Sequence, residues 1–152
     1  LDSAQIIRFI EFKSHFSLSD LGTGAGFPGL IISIFNKNPN FHVKLYEKSP
    51  VKCKFLQDVA DSLNIRVDIF SGDYLKYKID SEYLTFRAFK KLDRIINISR
   101  ENYKKPHKLI ILKGKNAQEE VNKALKKGKF HYKLFDSITE KESKIIVSNV
   151  KI

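Results

Sequence analysis

The stretch from residue 20 to residue 29, D-L-G-T-G-A-G-F-P-G, constrains the fold of this chain more than any other part of the sequence. The residues before it, 17–21, have the pattern of a strand end, and the apolar residues 30–35 predict a helix. Glycines between two such elements let the backbone turn sharply, adopt positive φ and approach a ligand closely. A strand, a glycine turn and a helix in this order are typical of the nucleotide-binding part of doubly wound α/β folds.

Two interpretations of the glycines compete. Gly24, Gly26 and Gly29 satisfy the dinucleotide fingerprint G-x-G-x-x-G, which would indicate a nicotinamide-dependent oxidoreductase. Alternatively, Asp20 and the series Gly22-x-Gly24-x-Gly26 resemble the first motif of S-adenosylmethionine-dependent methyltransferases. We favour the second interpretation because an acid two residues before the first glycine would repel a pyrophosphate. An oxidoreductase of this kind would also need a substrate domain, which we do not find in this sequence.

Two further predicted strands end in polar residues. Residues 41–47 alternate as a strand does and end in Glu47, 25 residues after Gly22. An acid at the end of the second strand hydrogen-bonds ribose hydroxyls in nucleotide-binding α/β folds. The third predicted strand is followed by Asp73 and Tyr74, at the position where methyltransferases usually hold the adenine. The three strand ends together predict one nucleoside site.

The rest of the chain continues the same alternation. Strands are predicted at residues 83–86 and 109–112, each followed by a helix, and a closing antiparallel pair at 130–138 and 144–150. The fold class is therefore α/β, a Rossmann-like class I S-adenosylmethionine-dependent methyltransferase. We expect a mostly parallel central sheet with helices on both faces and a C-terminal antiparallel hairpin. The 152 residues predict a single methyltransferase domain over 1–152.

Charge favours a polyanionic partner. The chain has 28 Lys and Arg against 17 Asp and Glu, a formal net charge of +11. Nucleic acid is the preferred interpretation, and a lysine-rich proteome is the alternative. The predicted phosphate contacts are Lys104, Lys105, Lys108, Lys113 and Lys115. The single cysteine, Cys53, excludes an intrachain disulfide and favours a cytoplasmic protein, and we expect no membrane partner.

Four motifs together are similar to one family. The glycine stretch, R-A-F at 87–89, L-K-G at 112–114 and the opening L-D-S resemble the bacterial ribosomal small-subunit methyltransferase G family, also called glucose-inhibited division protein B. The resemblance implies methyl transfer from S-adenosylmethionine to N7 of a guanosine in the 530 loop of 16S ribosomal RNA. It implies 16S ribosomal RNA or the small ribosomal subunit as partner, and we expect a monomer. Members begin with a further helical segment bearing tryptophan and asparagine, which we expect to be missing here.

The resemblance and the strand ends give the predicted cofactor contacts: Asp20, Gly22, Thr23, Gly24, Gly26, Phe27, Glu47, Asp73, Tyr74 and Arg87. Guanine N7 carries an unprotonated lone pair at neutral pH, so no general base is assigned, and no metal is expected. Arg87 is predicted to orient the cofactor or the guanine through its planar donors, or else to form an ion pair with a carboxylate such as Asp20. A catalytically inactive RNA-binding module remains the third interpretation.

Overall fold

A computed structural model describes residues 2–87, 90–103, 105–128 and 131–151. These residues contain seven strands and four α-helices, in the order β1 Ser17–Leu21, α1 Gly29–Phe35, β2 His42–Glu47, α2 Pro50–Ser62, β3 Asp68–Ser71, β4 Tyr83–Arg87, α3 Leu92–Glu101, β5 His107–Lys113, α4 Ala117–Lys127, β6 Lys133–Asp136 and β7 Lys144–Val150. Short 3-10 helices cover Asp2–Phe9 and Tyr74–Lys76. The predicted order of strands and helices is confirmed.

The strands form one sheet in the order β3-β2-β1-β4-β5-β7-β6. The first five strands are parallel, and β7 runs antiparallel between β5 and β6. The chain moves outward from β1 to β3 and then returns to the other side of β1 at β4. This reversal creates a crevice at the carboxyl ends of β1 and β4, where open α/β sheets bind ligands.

Helices cover both faces of the sheet, so the sheet lies between two cores. The side chains of a central strand point alternately into one core and the other. On β5, Leu109 and Ile111 pack into the core beneath α3 and α4. Ile110 and Leu112 point the other way, into the core that includes Leu30 of α1 and the first 3-10 helix. All four β5 side chains are at most 5% exposed. A continuous apolar run of this kind is expected of a strand buried on both faces.

Two local features concern the ends of helices. The apolar residues near the beginning of the chain lie in a 3-10 helix. Pro28 is the cap residue before α1, and that helix begins at Gly29. No helix among the described residues is both long enough and apolar enough to cross a membrane.

Candidate active site

A cavity of about 740 Å³ occupies the crevice at the carboxyl ends of β1, β2, β3 and β4. Each of these strands supplies part of the wall through the loop that follows it. The lining residues are Gly22, Thr23, Gly24, Ala25, Phe27, Glu47, Lys48, Lys52, Gly72, Asp73, Tyr74, Leu75, Arg87, Lys90 and Arg94. The structure therefore brings together eight of the ten predicted cofactor contacts, and leaves out Asp20 and Gly26.

The glycine loop turns over the end of β2. The amides of Gly22 and Thr23 both donate to the carbonyl of Tyr46, at 2.9 and 3.0 Å. Gly24 has φ +60°, and a Cβ at this residue would meet no heavy atom within 4 Å. Backbone with positive φ beside open space leaves room for a ligand to approach the main chain closely.

Gly26 serves packing instead of the cavity. Its φ is +96°, and a Cβ there would collide with the side chain of Leu30 and lie 2.9 Å from Cδ2 of Leu56. Gly26 is not among the residues that line the cavity, and its missing side chain makes space for the first residues of α1 and for α2. Gly26 lets the loop lie tightly on these helices.

Asp20 lies beneath the glycine loop and not in the cavity. It is 1% exposed. Its Oδ2 accepts hydrogen bonds from Thr23 Oγ1 at 2.6 Å and from the amide of Gly29 at 3.0 Å, and its Oδ1 accepts one from Thr85 Oγ1 at 2.8 Å. Burial raises the pKa of the Asp20 carboxyl, against these three hydrogen bonds, which favour the charged form. Asp20 therefore joins the loop, α1 and β4, and it is not among the residues that line the cavity.

Glu47 is the acid that lies at the cavity wall. Its Oε2 accepts from the amide of Gly24 at 2.9 Å, and its Oε1 accepts from the amide of Ser49 at 2.9 Å. The side chain is 7% exposed and lines the cavity. Each carboxylate oxygen has a second lone pair, so Glu47 can still accept a hydrogen bond from a ligand hydroxyl. The same carboxylate fixes the glycine loop to the start of α2.

The pair after β3 forms a turn with one buried aromatic ring. Asp73 Oδ1 accepts from the amide of Leu75 at 3.0 Å and so caps the short 3-10 helix. Tyr74 is 9% exposed, and the ammonium of Lys90 lies 5.2 Å from the centre of its ring. Asp73 and Tyr74 therefore form a turn and part of the cavity wall at the same time.

Arg87 closes the cavity at the end of β4. Its guanidinium carbon lies 5.9 Å from the ring centre of Phe27, within the range of a cation–π contact. Among the described residues, no direct ion pair joins Arg87 to Asp20, although the positive charge of Arg87 acts to lower the pKa of the Asp20 carboxyl. The Ala88 and Phe89 that complete the R-A-F motif lie outside the described residues.

Four further basic side chains rim the cavity, and none of them is among the predicted phosphate contacts. Lys48 and Lys52 lie near the start of α2, where a cation opposes the helix dipole unless something anionic faces it. Lys90 and Arg94 come from the segment after β4 and from α3, and neither was predicted. The sequence contains one indication of this position: Arg94 lies in the first turn of the helix that follows β4.

Of the five lysines predicted to bind RNA, the four that the structure describes do not form one surface. Lys105 and Lys108 lie at the start of β5, away from the cavity: the first ion-pairs with Glu82 at 2.6 Å, and the second donates to the carbonyl of Phe9 at 3.1 Å. Lys115 is exposed on the cavity side. Lys104 lies outside the described residues.

Lys113 is buried, with 6% exposure, and the prediction that it contacts phosphate does not fit its position. Its ammonium donates to the carbonyl of Lys90 at 2.6 Å and pairs with Oε2 of Glu120 at 2.7 Å. The same oxygen of Glu120 accepts from the amide of Leu92 at 3.0 Å. Lys113 and Glu120 therefore fix both sides of the segment that connects the cavity wall to α3.

All four histidines lie far from the cavity. His42 begins β2, His107 begins β5, and His15 and His131 precede β1 and β6. These strands point the same way, so the histidines lie at the opposite edge of the sheet from the glycine loop. Burial lowers the pKa of His107, which bonds to Ser99 Oγ at 2.6 Å. No histidine is among the residues that the structure places around the cavity.

A family model described as rRNA small subunit methyltransferase G matches residues 1–147 of this chain. The chain belongs to the rRNA small subunit methyltransferase G family. It is an S-adenosylmethionine-dependent methyltransferase, as the glycine loop and its acid predicted, and the oxidoreductase alternative is excluded.

Relatives in the methyltransferase G family align along nearly the whole chain. The ribosomal RNA small subunit methyltransferase G of Pelagibacter ubique is 35% identical over 154 residues, covering 99% of this chain and 71% of the relative. The protein of the same name from Rickettsia typhi is 38% identical over 149 residues, covering 98% and 75%. The recognition of this family from four short motifs is therefore confirmed.

Solved structures with low identity share the fold of this methyltransferase G chain. An S-adenosylmethionine-dependent methyltransferase from Aquifex aeolicus superposes with a TM-score of 0.76 at 13% identity, covering 99% of this chain and 90% of the other. An RNA methyltransferase from Salinibacter ruber, solved with S-adenosyl-L-homocysteine, gives 0.71 at 14% identity, covering 97% and 88%. The predicted fold class is confirmed.

Proposed function

We propose that this chain transfers a methyl group from S-adenosylmethionine to N7 of a guanosine in the 530 loop of 16S ribosomal RNA. The observation that carries the proposal is the cavity itself: it combines carboxylates and open glycine backbone with a basic rim, and no histidine lines it. Such a wall suits a reaction that needs alignment and charge complementarity and no proton removal. Guanine N7 is an acceptor of this kind.

The residues of the cavity fit the cofactor. S-adenosylmethionine supplies an electrophilic methyl group on a sulfonium centre. We propose that Glu47 accepts a ribose hydroxyl, and that Asp73 and Tyr74 lie beside the adenine. The open space at Gly24 admits a ligand against the backbone, as its positive φ and absent Cβ allow. Thr23, Gly22 and Phe27 complete this proposed contact surface.

Catalysis in this scheme comes from alignment. A lone pair held in line with the sulfonium carbon reacts without a general base, and correct positioning alone can lower a barrier substantially. Arg87 lies at the exit of the cavity, where its planar donors can hold an oxygen of the acceptor. Both carboxylates of the wall accept hydrogen bonds from backbone amides. Glu47 accepts from Gly24 and Ser49, and Asp73 accepts from Leu75. These hydrogen bonds fix both carboxylates in place, where we propose that they bind the cofactor.

The basic rim is the proposed contact with RNA phosphates. Lys48, Lys52, Lys90 and Arg94 surround the opening, and the whole chain carries +11. Phosphate contacts position a nucleic acid without specifying its sequence. We further propose that the enzyme acts as a monomer in the cytoplasm, where ribosomal RNA is modified; light scattering after gel filtration tests the monomer.

The test is single-turnover transfer to small subunits or 16S ribosomal RNA that lack the modification, with the product nucleoside identified by mass spectrometry. We expect 7-methylguanosine, and a rate that is nearly flat between about pH 6.5 and 8.5, because no group of histidine type takes part. His15, His42, His107 and His131 should each tolerate Gln, whereas Arg87→Lys should lose much more.

A bell-shaped profile, or a different methylated nucleoside, would contradict the proposal. RNA binding with no transfer and no stabilisation by S-adenosylhomocysteine would support the inactive RNA-binding module instead. The Arg87→Lys comparison serves as the internal control, since both cations carry the same charge and only Arg has the planar fork.

A further inference from the structure

A second, smaller cavity of about 160 Å³ adjoins the cofactor cavity and shares Arg87 with it. Its other walls come from elements that the first cavity does not use. Lys113 and Gly114 line it at the end of β5, Glu140 and Ser143 line it from the turn between β6 and β7, and Asp2 lines it from the first 3-10 helix. Its volume suits one small planar group.

The β6–β7 turn reaches this place because β7 runs antiparallel to β5. Lys144, the first residue of β7, is paired with Lys113, the last residue of β5. The turn that precedes β7 therefore lies at the same edge of the sheet as the glycine loop. Within the turn, the amide of Ser137 donates to the carbonyl of Ser143, and the amide of Ser143 donates to that of Glu140, each at 3.0 Å.

The first 3-10 helix fixes this turn from the other side. Asp2 Oδ1 accepts from Ser137 Oγ at 3.2 Å and from Thr139 Oγ1 at 2.9 Å. Gln5 Oε1 accepts from the amide of Ile138 at 2.9 Å. Side chains more than 130 residues away thus hold the turn, and the backbone around Glu140 is fixed by contacts on both sides of it.

Glu140 is an exposed wall residue with spare acceptor capacity, whereas Asp2, the other carboxylate of the wall, holds the turn through its Oδ1. Its Oε2 accepts from Ser143 Oγ at 3.1 Å. Among the described residues, no hydrogen bond or ion pair involves its Oε1. Its neighbour Glu142, by contrast, pairs with Lys115 at 2.9 Å and does not line the cavity.

We propose, on the basis of the function proposed above, that the small cavity receives the acceptor guanine and that Glu140 binds its Watson–Crick edge. Guanine presents N1–H and the N2 amino group side by side, and a carboxylate is the acceptor that matches two adjacent donors. Adenine lacks this pair of donors. The N7 atom lies on the opposite side of the purine, toward Arg87 and the cofactor cavity.

The same contact stabilises the transition state of methyl transfer. Methylation at N7 moves positive charge from the sulfonium to the purine ring, which makes N1–H and the N2 amino group stronger donors. A carboxylate on these donors is therefore bound more strongly in the transition state than in the ground state, and only such interactions accelerate the chemical step. Arg87 can donate to O6, beside N7, as Arg does in contacts with guanine.

The experiment compares RNA with guanosine or inosine at the target position, since inosine lacks only the 2-amino group and keeps N7. Single-turnover rates are measured for the wild type, for Glu140→Gln and for the matched control Glu142→Gln. We expect the wild type and Glu142→Gln to prefer guanosine by about 10-fold or more. Glu140→Gln should lose about 10-fold or more on guanosine and show a guanosine-to-inosine ratio close to one.

Affinity for S-adenosylhomocysteine and the melting temperature should be unchanged in Glu140→Gln, because Glu140 does not line the cofactor cavity. A wild type that methylates both RNAs equally, or a Glu140→Gln variant that keeps the wild-type ratio, would overturn this inference and leave the proposed function intact. A wild type that forms no 7-methylguanosine on the guanosine RNA would overturn both.

Discussion

Replacing Asp20 by Asn and by Ala separates a scaffold role from a ligand role. An Asn can keep its oxygen toward Thr23 and the amide of Gly29, and turn its amide nitrogen toward Thr85, whose hydroxyl rotates to accept. All three partners then stay satisfied. We expect Asp20→Asn to lower the free energy of unfolding by at most about 1.5 kcal/mol, the usual value of one hydrogen bond.

Asp20→Ala should cost more, because it leaves the buried amide of Gly29 without an acceptor. An unsatisfied buried donor costs about 1–3 kcal/mol, and the space left by the carboxyl adds a cavity term. We expect a total of about 2–5 kcal/mol, a large part of the roughly 5–15 kcal/mol that keeps a typical domain folded. The hydroxyls of Thr23 and Thr85 add little, since they can turn to other acceptors.

The dependence on pH has a defined sign. The folded-state pKa of Asp20 is raised above its ordinary value of 3.8, so ionisation disfavours the folded state. This contribution to stability is fully present below the ordinary value and is lost as pH rises toward the folded-state pKa. Asn has no such loss. The stability of Asp20→Asn relative to wild type should therefore improve as pH rises from about 3.5 to 7, and contributions from the other carboxyl groups cancel in the difference.

Urea unfolding across this pH range measures the stability difference, and calorimetry with S-adenosylhomocysteine measures the site. Affinity of Asp20→Asn should stay within about threefold of wild type, which is below 1 kcal/mol. If affinity falls tenfold or more while stability is kept, Asp20 contacts the ligand and our placement of it is refuted. A relative stability that worsens with rising pH would refute the assigned direction of the pKa shift.

Two further predictions concern glycines and a buried ion pair. Gly24→Val should abolish binding of S-adenosylhomocysteine in a protein that folds but is less stable than wild type, because valine is strained at φ +60°; unchanged affinity, measured by calorimetry below the melting temperature, would contradict the site. Gly29→Ala should lower the free energy of unfolding by about 1–3 kcal/mol, since its Cβ would collide with Leu45 and lie 2.9 Å from Asp20 Oδ2. Lys113→Met and Glu120→Gln should each cost about 3 kcal/mol in urea unfolding, and the double variant clearly less than their sum; additive losses would show that the two do not act as a pair.

The sequence predicted the fold and most of the cofactor cavity, because glycine loop, strand ends and family motifs are local patterns. It did not predict that Asp20 is buried beneath the loop and does not line the cavity, since a position at a strand end does not say which way the side chain points. In the structure that side chain faces the loop amides and β4, not the crevice. Which of two acids meets the ligand depends on the register between β1 and β2, and no local pattern reports it.

The sequence did not show, for a different reason, that the predicted lysines lie apart. Lys108 and Lys113 are five residues apart, but in a strand that separation is about 17 Å. They therefore lie at opposite edges of the sheet, and closeness in sequence did not mean one surface. The small cavity was missed because its walls come from Asp2 and Glu140, which meet only through the antiparallel return of β7. The sequence showed only that the turn between β6 and β7 is charged, and the pairing of Lys144 with Lys113 brings this turn beside the L-K-G motif.

The position of β7 between β5 and β6 sets an order of assembly during synthesis. Residues up to Arg94, which line the larger cavity, emerge from the ribosome before any part of β7. Until β7 arrives, the long apolar edge of β5 has no partner on that side, and an open edge of this kind is prone to pair with other chains. Nascent chains stalled before Lys144 should therefore depend on chaperones, although all the residues that line the larger cavity have already been synthesised.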